Sequence, residues 1–247
     1  MPPLFFIAVS VIMNLIILFK EDFLNPTQVR LYGRRREHVL NIHRAAIGDE
    51  LRVGLINGLL GYGRIFRLTD QVLEMEILLD QQPPEPLPVT LLLALPRPKM
   101  LRRILQSVSS LGVKKIHLIN SYRVDKSFWS SSLLQPEKLQ EQLLLGLEQG
   151  CDTILPEIHL QPRFKPFVED ELPGISAGTN AYVAHPETGG DFPQTLNQPA
   201  TVAIGPEGGF IPYEVEKLQN CGFIPISLGA RILRVETAVP VLLSRLI

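Results

Sequence analysis

The chain is 247 residues long, enough to bury the core of one large domain or of two smaller ones. Its 24 basic and 25 acidic residues leave a formal charge of −1, which excludes a global electrostatic footprint for nucleic acid and confines any such binding to a local patch. Cys151 and Cys221 are far apart with no CxxC spacing, and His38, His43, His117, His159 and His185 lack the spacing of metal ligands, so we expect no disulfide, no metal and a reducing cytoplasm.

The run Leu4 to Phe19 is nearly all apolar. As an export signal or a membrane span it is poor: no cation precedes it, no small-residue cleavage site follows it, and with Ser10 and Asn14 inside it is short for a bilayer. Met13 offers another account, in which Leu15–Phe19 is a first strand and residues 1–12 are an upstream extension or a misassigned start. We expect a cytoplasmic protein with no membrane partner; a membrane-anchored chain is the alternative.

From Met13 to about residue 80, short strands alternate with turns. Leu15–Phe19, Glu50–Ile56, Gly61–Leu68 and Leu73–Leu79 are punctuated by Gly33, Gly48-Asp49, Asn57-Gly58 and Thr69-Asp70, a spacing that predicts a small β-barrel over 13–80. Between the first two strands lies the densest basic cluster, with Arg34, Arg35, Arg36 and Arg44, expected on a loop and short helix. It reads either as a solvated surface or as a patch that contacts phosphates. Residues 81–88 then hold four prolines, which predicts a stiff linker and a domain boundary.

Over 89–247 the period changes. Val89–Leu95 is a continuous apolar run, followed by a helix with Leu101, Ile104, Leu105, Val108 and Leu111 on one face and Gly112 at its end. Lys99, Arg102 and Arg103 fall on the opposite face, where solvated charge is the usual role. A strand Lys115–Asn120, a polar loop containing Arg123 and a helix from about Glu137 to Gln149 continue the alternation of a parallel α/β sheet. Ala181–Ala184 runs into His185-Pro186, and Thr201–Ile204 into Gly205-Pro206-Glu207-Gly208-Gly209. Pro212 starts a helix that ends near Gly222, Ile224–Leu228 leads to Gly229, and a last helix starts near Thr237 with Pro240 in its first turn.

Three strand ends that stop at glycine or His-Pro suggest one pocket, where bare backbone can hold a flat ligand. The glycine turn is not GxGxxG and no GK[ST] follows, so no dinucleotide or nucleoside triphosphate cradle is supported, and Glu207 would repel a phosphate. No GxSxG elbow or HExxH helix is present. What remains, glycines with one carboxylate and two arginines, Arg231 and Arg234, suits a neutral-to-cationic ligand with an adenine-like plane.

Ile204-Gly205-Pro206-Glu207-Gly208-Gly209-Phe210 together with Leu228-Gly229-Ala230-Arg231-Ile232-Leu233-Arg234-Val235-Glu236-Thr237-Ala238 closely resembles the hallmark pair of the RsmE family, the 16S rRNA uracil-N3 methyltransferases of the SPOUT superfamily. Further matches are His38 through Ile42-His43-Arg44 to Gly48-Asp49, Leu111-Gly112-Val113, Arg123, Glu148-Gln149, Pro156-Glu157-Ile158 and His185-Pro186. The resemblance implies an α/β chain: a small PUA-like β-barrel that binds RNA, then a SPOUT-type knotted parallel-sheet domain that holds S-adenosylmethionine, in a homodimer. General rules of chain topology count against a knot, so the resemblance alone implies it.

The resemblance also implies roles. His185, Pro186, Ile204, Gly205, Pro206, Glu207, Gly208, Gly209, Leu228, Gly229, Ile232, Leu233, Glu236, Thr237 and Ala238 would form the cofactor pocket. Arg234, Glu207 and Arg231 are the catalytic candidates, Arg234 first, as the group beside uracil O2 or O4; Glu207 either orders its loop or faces substrate. Arg34, Arg35, Arg36, Arg44, Lys99, Arg102 and Arg123 would grip 16S rRNA in the small ribosomal subunit. Two positions depart from the family pattern. Ser110 replaces a glutamate, and Asp152 stands in place of an arginine, which suggests a weakened RNA grip and keeps open a non-catalytic RNA-binding or ribosome-assembly protein.

Overall fold

The computed structural model describes residues 15–40, 45–185 and 198–246. Most of the run Leu4–Phe19, together with Arg44 and Pro186, lies outside the described residues. The chain divides into two compact units: one reaches to Pro83 and includes Cys151–Thr153, and the other holds Pro84–Gly150 and the chain from Ile154 onward.

In the first unit, strands β1 (Ile16–Leu18), β2 (Phe23–Asn25), β3 (Gln28–Leu31), β4 (Glu50–Leu55), β5 (Leu60–Leu68) and β6 (Leu73–Gln81) form a curled mixed sheet in the order β1-β4-β5-β6-β3-β2, and helix α1 (Gly33–His38) links β3 toward β4. Strand β1 runs parallel to β4 and the other pairings are antiparallel. Alternation decides what is inside: along β5, Gly63 and Ile65 are buried while Tyr62, Arg64 and Phe66 face water. Val29, Leu31, Leu51, Val53, Leu73 and Met75 complete the core. A Cβ at Gly61 would lie 1.8 Å from the Leu78 carbonyl oxygen, so β5 and β6 close at their bulge only around glycine. The hairpin β2–β3 is an addition to the predicted strands. Its turn is fixed by the Asn25 side chain, whose Oδ1 accepts the Thr27 backbone N–H at 3.0 Å.

The second unit contains β7 (Leu87–Ala94), α2 (Pro98–Ser110), β8 (Val113–Ile119), α3 (Pro136–Gly150) and β9 (Glu157–Gln161), then the helical turns α4 (Phe164–Pro166) and α5 (Leu172–Ser176). After these come β10 (Asn180–Ala184), β11 (Ala200–Ile204), α6 (Pro212–Asn220), β12 (Ile224–Ile226) and α7 (Val235–Ser244). Its sheet is parallel throughout, in the order β12-β10-β11-β7-β8-β9. Central β11 is buried at every position, as a strand covered on both faces must be. Helix α2 lays Leu101, Ile104, Leu105 and Val108 into the core, and Gly112, at φ +85°, ends it. Helix α3 packs closely on α2 because Gly146 has no side chain; a Cβ there would sit 2.4 Å from the Gln106 carbonyl oxygen.

Three expected boundaries shift. The proline-rich stretch 81–88 is not all linker, since β6 runs to Gln81 and β7 begins at Leu87. Pro88 is tolerated because pairing with β11 starts only at Val89. Helix α7 starts before Thr237: the Arg234 carbonyl already accepts the N–H groups of Thr237 (2.9 Å) and Ala238 (2.8 Å), so Pro240 falls in the second turn, not the first. Among the described residues no helix is long and apolar enough to cross a membrane.

Candidate functional site

Parallel strands deliver their following loops to one edge of a sheet, and ligands of open α/β sheets sit there. In the second unit the loops after β10, β11 and β12 meet around a cavity of about 240 Å³. Its lining is Ala184, His185, Ile204, Gly205, Pro206, Glu207, Gly208, Gly209, Ser227, Leu228, Gly229, Arg231, Ile232, Leu233, Val235 and Ala238. The loop ends are pinned by backbone bonds: the His185 N–H donates to the Ile226 carbonyl at 2.9 Å, and the Gly209 N–H to the Pro206 carbonyl at 2.7 Å.

The turn Pro206–Gly209 is held from three sides. A Cβ on Gly205 would come within 2.9 Å of the Phe210 backbone nitrogen and 3.2 Å of Gly209, so the turn folds back over a position that must be bare. The Glu207 carboxylate accepts the Arg97 backbone N–H at 3.4 Å and lies 4.0 Å from Arg97 Nε, a contact between its turn and the loop before α2. The Arg123 guanidinium donates to the Gly208 carbonyl. Arg123 therefore faces the turn. Gly208 has a different neighbourhood from Gly205, since a Cβ there would meet Arg123 Cδ at 2.9 Å.

Glu214, which sequence reasoning missed, anchors this arrangement. It is 2 % exposed, and its carboxylate accepts the Tyr122 N–H at 2.7 Å and the Ile211 N–H at 3.0 Å. An acid at the third residue of a helix that begins at Pro212 is a capping signal visible in the sequence; its second partner is not.

Of the expected pocket residues, His185, Ile204 to Gly209, Leu228, Gly229, Ile232, Leu233 and Ala238 are brought together, and Arg231 lines the same cavity. Glu236, Thr237 and Arg234 lie outside the lining, on the first turn and N-cap of α7. Ala184, Ser227 and Val235 join it unpredicted. The set suits the ligand read from the sequence: exposed backbone at glycines, apolar walls, and one carboxylate compatible with a cation. An S-adenosylmethionine-like molecule fits these residues.

Arg35 and Arg36 of the basic cluster have partners within the first unit. Arg35 forms a two-pronged ion pair with buried Asp22, at 2.5 and 2.6 Å, donates to the Ile17 carbonyl at 3.0 Å and stacks over the Phe19 ring. Arg36 donates twice to the Thr69 carbonyl, at 2.8 and 2.6 Å. Both hold the first unit together; Arg34 there, and Lys99 and Arg102 on α2 of the second unit, are exposed. Asp152 is buried, at 4 % exposed. Ser110 closes α2 through a bond from its hydroxyl to the Ser107 carbonyl at 2.9 Å. Neither residue lines the cavity. Neither cysteine is in a disulfide; burial pushes the Cys221 thiol up, and it donates to the Val168 carbonyl at 3.3 Å.

Residues 83–247 match the model of a family described as an RNA methyltransferase domain. Over 237 residues the chain is 30 % identical to ribosomal RNA small subunit methyltransferase E of Treponema pallidum, covering 92 % of this chain and 87 % of that protein. It is 25 % identical over 235 residues to ribosomal RNA small subunit methyltransferase E 1 of Borreliella burgdorferi, covering 92 % and 94 %. Its fold is similar to the crystal structure of a ribosomal RNA small subunit methyltransferase E from Neisseria gonorrhoeae bound to S-adenosyl methionine, with a TM-score of 0.74, 22 % identity, and coverage of 94 % of this chain and 95 % of that one.

Proposed function

The chain belongs to the ribosomal RNA small subunit methyltransferase E family of RNA methyltransferases, and we propose that it methylates N3 of a uridine in 16S rRNA of the small ribosomal subunit, using S-adenosylmethionine. The observation that carries this reading is the cavity where the turns 205–209 and 227–229 face each other at the strand ends. S-adenosylmethionine in that cavity supplies a methyl group activated by its sulfonium. Backbone groups of Gly205, Pro206, Gly208, Gly209, Leu228 and Gly229 would hold its flat and polar parts, and Ile204, Leu233 and Ala238 would form the apolar walls.

For the protein the remaining work is to align uracil N3 with the methyl and to hold the negative charge that spreads over the ring as N3 loses its proton. Arg231 lines the cavity and is exposed, so we assign it the uracil oxygens; Arg234, outside the lining at the N-cap of α7, takes the second place. The target base leaves its helix to reach this point. The first unit serves as a PUA-like RNA-binding domain with Arg34 on phosphates, and Lys99 and Arg102, on α2 of the second unit, are phosphate contacts of that unit.

The family resemblance, and not the strand order, supports a knotted crossing of the chain in the second unit. Tyr122 and Ile232, 80 % and 87 % exposed, support a homodimer that covers them. A modifier of ribosomal RNA works in the cytoplasm. The test is to incubate purified protein and S-adenosylmethionine with small subunits, or with naked 16S rRNA, from a strain lacking the gene, and to quantify N3-methyluridine by mass spectrometry. Its appearance in either substrate is the expected result; no gain in both overturns the reading.

A further inference from the structure

We infer that Glu214 is a positioning residue for the cofactor turn and acts through Arg123. The inference rests on the reading of the cavity as the S-adenosylmethionine pocket. Three links carry it. The first is burial: the Glu214 carboxylate is 2 % exposed, and its two oxygens take separate backbone donors, Oε1 the Tyr122 N–H at 2.7 Å and Oε2 the Ile211 N–H at 3.0 Å. Bonds of a charged acceptor to backbone N–H groups are short and strong, and losing one leaves a buried donor unsatisfied. The second link is connectivity. Tyr122 is the neighbour of Arg123, and the turn they share is closed by the Val124 N–H on the Ser121 carbonyl at 3.0 Å. Fixing the Tyr122 amide to α6 therefore fixes where Arg123 leaves the backbone.

The third link is the target. The Arg123 guanidinium donates to the Gly208 carbonyl, and Gly208 sits inside the turn closed by Gly209 on Pro206. That turn has no side chain of its own to stiffen it at Gly208 or Gly209, and Gly209 is at φ +73°. A glycine turn left to itself samples many conformations, so its order must come from outside. Glu214 to Tyr122 to Arg123 to Gly208 supplies that order over 92 and 85 residues of sequence separation. The Glu207 contact to Arg97 braces the same turn from another loop.

A double-mutant cycle tests this, because two residues that act in series are not additive. Calorimetry gives the S-adenosylmethionine Kd of the unaltered chain, Glu214→Gln, Arg123→Ala and the double variant. Glutamine keeps the shape but can accept only one of the two N–H groups with its single oxygen. Each single change is expected to weaken binding about tenfold, as one charge-assisted bond implies. The double variant is expected to be no weaker than Arg123→Ala. Hydrogen exchange of the Gly209 amide in the ligand-free protein gives a second readout: both single changes speed it, and the double adds nothing. An unchanged Kd in Glu214→Gln with unaltered Gly209 exchange, or a full further loss when Glu214→Gln is added to Arg123→Ala, overturns the positioning role. If the unaltered chain binds no S-adenosylmethionine, the pocket reading fails, and the exchange cycle alone decides the positioning.

Discussion

Substitution of His117 by phenylalanine is expected to remove a large part of the chain's sensitivity to acid. His117 lies on β8, 7 % exposed, stacked on His159 with ring centroids 4.8 Å apart and tilted against Phe167 at 5.8 Å. Its Nδ1 is buried with no hydrogen-bond partner among the described residues. Burial, then the neighbouring His159 and Lys115, lower its pKa from the ordinary 6.5 to about 4. The unfolded chain therefore takes up a proton near pH 6.5 that the folded chain refuses until near pH 4. Above pH 6.5 both states are neutral at this ring and stability does not change with pH on its account. As pH falls below 6.5 stability is lost, at about 1.4 kcal/mol per pH unit, and the loss levels off below about pH 4. By pH 4.5 the deficit reaches roughly 2–3 kcal/mol. Phenylalanine keeps the ring volume and both stacking partners without the titration. Urea unfolding of the two proteins at pH 7.5 and pH 4.5 checks this, with stability falling less in His117→Phe by that amount. The same acid loss in both would refute the account.

Three further outcomes are expected. Gly205→Ala pushes a methyl against the Phe210 nitrogen at 2.9 Å and should cost S-adenosylmethionine binding tenfold or more by calorimetry, on the order of 1.4 kcal/mol; normal affinity would remove Gly205 from the pocket. Arg35→Ala strands the buried Asp22 carboxylate and should lower unfolding stability by about 2–4 kcal/mol in urea; an unchanged urea midpoint would refute this. Arg231→Ala should reduce methyl transfer to 16S rRNA about a hundredfold with S-adenosylmethionine affinity within about twofold of the unaltered chain; a larger loss in Arg234→Ala would exchange the two roles.

What was legible in the sequence followed from period and punctuation. The buried strands β7 and β11, the face of α2 and the glycine turns each carry a local pattern, and each stands within a few residues of its expected place. Elements without such a pattern were missed. Strand β9 lies at the sheet edge with most of its residues exposed, so it has no apolar signature. The helical turns between Phe164 and Ser176 are interrupted by Pro166 and Pro173, which hides their period. The short β2–β3 hairpin is too brief to alternate.

At the site, the meeting of the glycine turns was legible because their pattern is local, whereas the partners of the charged side chains were not. Arg35 finds Asp22 and Arg36 finds Thr69 elsewhere in the first unit, and Arg123 finds Gly208 across 85 residues. A sequence shows that an arginine is present and leaves open what neutralises it. Asp152 illustrates the same limit, since its departure from the family pattern suggested a surface effect and the residue is buried.

The segment Cys151–Thr153 has a practical consequence for anyone dividing this protein. The Thr153 hydroxyl donates to the Gly58 carbonyl at 2.5 Å, its carbonyl accepts the Asn57 N–H at 2.8 Å, and Gly54 leaves the room its methyl fills. These three residues belong to the first unit although they arrive from beyond α3. A fragment ending at Pro83 would expose the β4–β5 turn and leave a hole beside Gly54, so the first unit is not a contiguous module that can be excised, swapped or fused by cutting the chain once. Transplanting it requires carrying Cys151–Thr153 along, for example on a short grafted loop near Asn57 and Gly58.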